Sequence, residues 1–92
     1  MEDRQNSYVY RNIDRVKKLI EENHFRLSEF GYGDVVVFKF RDEFLKGRIE
    51  IIDRTGGGFY DGICPSFDIF VDGTDGGTLY KHIPITDVKK AE

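Results

Sequence analysis

Tryptophan is absent from this chain, and cysteine, methionine and proline are scarce, at one, one and two residues among 92. The lone Cys64 leaves no internal disulfide, so packing and hydrogen bonds must hold the fold. Two histidines, His24 and His82, and one thiol cannot make a zinc centre from His and Cys alone. No metal and no cofactor is expected. No apolar run reaches the roughly 18 residues of a membrane span, and no charged segment followed by an apolar one opens the chain. A cytoplasmic location without membrane association is the resulting expectation. A basic excess is missing too, since 14 Lys and Arg face 17 Asp and Glu, for a net charge of -3. The surplus of acid falls after residue 30, with eight basic against eleven acidic groups. Proteins that neutralise a phosphate backbone usually show the opposite bias, at least locally. Generic nucleic-acid binding is therefore disfavoured, while a local patch stays open.

What is present is bulky apolar material. Hydrophobic residues make up 39% and include eight Phe and five Tyr, enough for a folded core. At this length about 60% of the unfolded surface is buried on folding, which suits one domain without a large enclosed active site. The chain divides into a helix and connector over 1–32 and a β-rich part over 33–92.

From Tyr8 to Asn23 the apolar period is helical, with Val9, Ile13, Val16 and Ile20 on one stripe widened by Leu19. Asn6 or Ser7 serves as N-cap, and Asp14 and Lys18 form an i, i+4 pair. Such a helix is marginal alone in water, so it is expected to dock on the β-rich part and cover Val35 and Val37. A helix that pairs with a second copy or a partner carries the same signature. In the connector, Phe25, Leu27, Phe30 and Tyr32 are apolar enough to pack beneath the β-rich part.

Alternation by two then marks the strands. Val36, Phe38 and Phe40 share one face of the first strand and Ile49 and Ile51 one face of the second. Phe67, Ile69 and Val71 do the same in the third. These eight are the expected core. A turn over Arg41 to Phe44, a long loop over Asp53 to Ser66 and a glycine-rich turn from Asp72 to Gly77 separate the strands. A fourth strand runs from Thr78 to Ile83 and stops at Pro84, which cannot donate to a ladder. One 3₁₀ turn over Pro84 to Asp87 leads into a short fifth strand at Val88 to Lys90.

Five short strands with a 3₁₀ step before the last resemble the SH3-like small barrel. The opening Gly33-Asp34-Val35-Val36-Val37-Phe38, followed by Gly47 and Ile49, is similar to KOW and Tudor-type barrels of bacterial proteins. The run from Tyr80 to Val88 resembles the closing elements of that group. The chain also looks like short proteins of Gram-positive bacteria and their mobile elements, in which a helix precedes such a barrel. The resemblance implies a mainly β fold, a five-stranded SH3-like barrel with an N-terminal amphipathic α-helix, and a binding role. The barrel alone does not select the ligand class. Recognition of proline-rich peptides fits poorly, because such SH3 grooves use a tryptophan and an acidic RT loop, whereas this chain has no Trp and only a short first loop.

Chemistry-bearing patterns are thin. Gly56 to Gly58 is followed by no Lys-Ser or Lys-Thr, and Asp72 and Asp75 lack the alternating ligands and closing Glu of a calcium loop. Ser66, Thr86 and Cys64 have no neighbouring cue for activation, so no enzyme is expected. The aromatic surplus, Phe59, Tyr60, Phe70 and Tyr80 with His82, is the candidate surface for another protein. The alternative is a nucleic-acid patch of Lys39, Arg41, Lys46 and Arg48 interleaved with Phe38, Phe40 and Phe44, diluted by Asp42, Glu43 and Glu50.

Overall fold

The structure is a computed structural model that describes residues 4–56 and 64–91, with helical side chains described at 15 and from 17 onward. One α-helix, α1 (Arg4–Leu27), precedes five strands: β1 (Val35–Phe40), β2 (Glu43–Asp53), β3 (Ser66–Val71), β4 (Thr78–Pro84) and β5 (Val88–Lys90). A 3₁₀ turn, Ile85–Asp87, links the last two. The fold is mainly β, as the alternation predicts.

All strands belong to one antiparallel sheet in the order β4-β3-β2-β1-β5. That order puts β4 and β5 at opposite edges, although only the three residues of the 3₁₀ turn lie between them. In a flat sheet the outer two of five strands are roughly 19 Å apart. The four Cα steps from Pro84 to Val88 span at most about 14 Å, and less when coiled in a 3₁₀ turn. The sheet must therefore curl strongly, although no ladder joins β4 to β5 among the described residues. Closure into a barrel by strand pairing is not seen.

Val36, Phe38, Phe67, Ile69 and Ile85 are fully buried at the centre of the curl, with Ile49, Ile83 and Val88 around them. Gly47 permits the bend of the 11-residue β2. A Cβ placed there would lie 2.6 Å from the carbonyl oxygen of Phe70 and 2.8 Å from Ile69 Cγ2. Glycine in a strand interior at such a close approach marks a corner.

Two irregularities change the expected faces. The β2–β3 register slips between Ile49 and Ile51, so that Ile51 lies opposite Asp68 and Ile52 opposite Phe67. A bulge of this kind shifts the alternation by one residue. Ile51, expected in the core, is consequently 50% exposed, and Ile52 packs on the core instead. In β4 the pairing jumps from Phe67↔Ile83 to Ile69↔Tyr80, with Lys81 and His82 set against Asp68 alone. His82 takes up the extra residue at φ 60, and its backbone N–H donates to Asp68 Oδ1 at 3.0 Å. Val71 and Phe40 are partly buried at the core margin.

The helix runs beyond the predicted Tyr8 to Asn23 because no breaker follows Asn23 and Leu27 continues the stripe one turn further. Its end tightens through i→i+3 bonds, from Ser28 N–H to Phe25 O and from Phe30 N–H to Leu27 O. Leu27 and Phe30 enter the core, and the Phe30 ring lies 5.3 Å from that of Phe67. Phe25 and Tyr32, expected to pack there, are 73% and 70% exposed. The contact of α1 with the sheet centres on the 3₁₀ turn. Arg26 secures it by donating to Ile85 O at 3.2 Å and to Val88 O at 2.9 Å. Val35, expected beneath the helix, is exposed, as is Leu19.

Candidate functional site

Of the aromatic set, Phe59 and Tyr60 lie outside the described residues. Phe70 stands on the solvent face of β3, opposite Arg48 on one side and Leu79 on the other. The Arg48 guanidinium lies 5.3 Å from the centroid of its ring. Leu79 is 38% exposed, and with Ile51 these residues line an open groove that also takes in Glu50. Tyr80 does not join them. The β4 irregularity turns it inward, where its ring meets Phe40 at 4.8 Å and Phe38 at 5.5 Å. The expectation that Tyr80 faces outward is thus corrected by one extra residue. His82 is half-buried beside Asp68 rather than presented with Phe70.

The basic set is arranged differently from its order in the sequence. Arg41 sits in the two-residue turn between β1 and β2 at φ 57, with its guanidinium 5.2 Å from the Phe40 ring. Lys39, Lys46 and Arg48 share the outer face, because each pairs with, or is itself, an outward residue of β1: Lys39↔Phe44, Val37↔Lys46 and Val35↔Arg48. Directly paired residues in antiparallel strands point to the same side. β5 adds Lys89, opposite Val37, a residue that local sequence does not place there. Phe44, read only as an interleaved ring, is 69% exposed on this face.

The acids are sorted by the same register. Glu43 pairs with Phe40 and so faces the other side, and Asp42 lies in the turn. Glu50 and Asp72 approach Arg48 at 3.0 and 3.9 Å. Asp34 accepts from Gly31 N–H at 2.8 Å and pairs with Lys90 at 3.2 Å, and these contacts, the Gly31 bond foremost, hold its carboxyl below the usual value.

The glycine-rich loop is anchored at its entry by Asp53, whose Oδ1 accepts from Thr55 N–H at 3.1 Å and Gly56 N–H at 3.0 Å. Among the described residues no group of three or more His, Cys, Asp or Glu is placed to hold a metal ion. Cys64 is buried against Pro65. No described helix is long and apolar enough to cross a membrane. The chain matches no family model, and neither a curated protein nor a solved structure aligns with it at significance.

Proposed function

We propose that this protein is a small non-enzymatic binding module on an SH3-like barrel, and that its partner is another protein. The reading of the barrel rests on the strand order and on the 3₁₀ step that carries the chain from one sheet edge to the other. The observation that carries the functional reading is the apolar row on the solvent face of β2, β3 and β4. Ile51 and Leu79 are exposed there, and between them the half-buried Phe70 completes the lining of one open groove, its ring edge against Gly77. Contiguous apolar surface rimmed by charged residues, here Arg48 and Glu50, is a recurrent mark of protein contact. Aromatic side chains anchor such contacts because few torsions are frozen on binding.

The test compares the native chain with the double variant Phe70→Ser/Leu79→Ser in affinity capture from the native host. Loss of a captured protein with a melting temperature lowered by less than about 5 °C supports the module. An unchanged capture list removes these residues from the contact, and a larger drop in melting temperature assigns them to the core.

A further inference from the structure

The solvent face of β5, β1 and β2 carries an aliphatic line between lysines. Val35 and Val37 follow one another along β1, with Lys46 across from Val37 on β2 and Lys89 across from it on β5. Lys39, two residues further along β1, closes one end beside Phe44. Cross-strand neighbours stand about 5 Å apart, so Lys46 and Lys89 stand about 10 Å apart across Val37 with Lys39 diagonal to both, a spacing close to the Debye length of roughly 8 to 10 Å. None of the three is in an ion pair among the described residues, whereas Arg48 and Lys90 both are. Three like charges at this spacing repel one another weakly, and a 69% exposed Phe44 and a 47% exposed Val35 are left in water beside them. A partner that brings negative charge to the rails and apolar groups to the centre relieves both costs.

We infer that this face docks an acidic polypeptide segment whose apolar side chains meet Val35, Val37 and Phe44. It adjoins the Phe70 row on the same side of the sheet, with Arg48 standing between Val35 and Phe70. Nucleic acid fits it less well. The centre is aliphatic, Phe44 is the one ring that β5, β1 and β2 offer for stacking on this face among the described residues, and carboxylates bound the basic area: Asp87 beside Lys89, and Glu50 and Asp72 beside Arg48. A phosphate backbone tracking beyond the lysines would run into those acids. A second copy is opposed by symmetry, since a twofold contact through this face sets lysine against lysine.

A short fluorescein-labelled peptide alternating glutamate and leucine is the probe, with a glutamate–serine peptide, a lysine–leucine peptide and single-stranded oligonucleotides as comparators. Fluorescence anisotropy is expected to show binding of the glutamate–leucine peptide alone, with amide shifts in the ¹H–¹⁵N spectrum at Val35, Val37, Lys46 and Lys89. Charge reversal in Lys46→Glu/Lys89→Glu should weaken binding at least tenfold, and Phe44→Ser should also weaken it, while the same reversal at the exposed helix residue Lys17→Glu leaves it unchanged. Circular dichroism checks that each variant is folded. The proposal is overturned if the glutamate–leucine peptide does not bind, if charge reversal leaves its affinity intact, or if an oligonucleotide binds more tightly. A dimer of the free protein that Lys46→Glu/Lys89→Glu dissociates would also overturn it, by assigning the face to a second copy.

Discussion

Asp34 links three parts of the chain, two through its carboxylate and one through its backbone carbonyl. It accepts from the Gly31 amide at the end of the connector, it pairs with Lys90 of β5, and its own carbonyl receives the Ile49 amide of β2. The Gly31 bond and then the Lys90 contact favour the ionised form, so the folded pKa lies below 3.8. A depressed carboxylate contributes stability that is complete above the unfolded value and is lost as pH falls through the folded one. Below pH 3.8 the native chain should therefore lose stability more steeply than Asp34→Asn, as read from denaturant midpoints at stepped pH. In an NMR titration, Lys90→Ala should return the Asp34 pKa only part of the way, because Gly31 is the larger cause. An Asp34 that titrates at or above 3.8 removes this account.

Strand β2 is the element on which the curl depends, and Gly47 is its corner. A methyl group there meets backbone, the Phe70 carbonyl, as well as Ile69 and Val71, so little can yield. Gly47→Ala is expected to cost about 1 to 3 kcal/mol by overpacking, read as a lower urea midpoint with an unchanged slope. Equal midpoints would show that β2 bends elsewhere. The strands themselves were legible because Val36 and Phe38, then Phe67 and Ile69, alternate cleanly between polar or outward neighbours. The bulges were not. An extra residue at Glu50 or His82 has no compositional mark, yet it turned Ile51 out and Tyr80 in. The basic face was half legible for a related reason. Lys39, Lys46 and Arg48 are near in sequence, but Lys89 arrives through a pairing of Val37 with the last strand. Local pattern carries no information about such long-range register.

The whole molecule is elongated, with a Cα radius of gyration of 16.0 Å and a longest extent of 61 Å. A compact chain of this length would have a radius near 12 Å. The difference comes from α1, whose 24 residues span about 36 Å and whose contact with the sheet centres on its final turns, through Arg26 and Leu27. Small-angle scattering of the dilute protein should give a radius close to 16 Å after allowance for hydration; a value near 12 Å would mean that the helix folds back along the sheet. At the same scale, β5 has a consequence unrelated to binding. β1, with the sequence VVVFKF, has the composition of a fibril-forming segment, and it is kept from the sheet edge by pairing with β5. β5 in turn is three residues long, two of them lysine, a short and charged edge that gives an incoming strand little to join. Clipping the chain before Val88 is expected to expose VVVFKF as an open edge and to speed aggregation, read as light scattering against the full chain; equal rates would show that the shortest strand guards nothing.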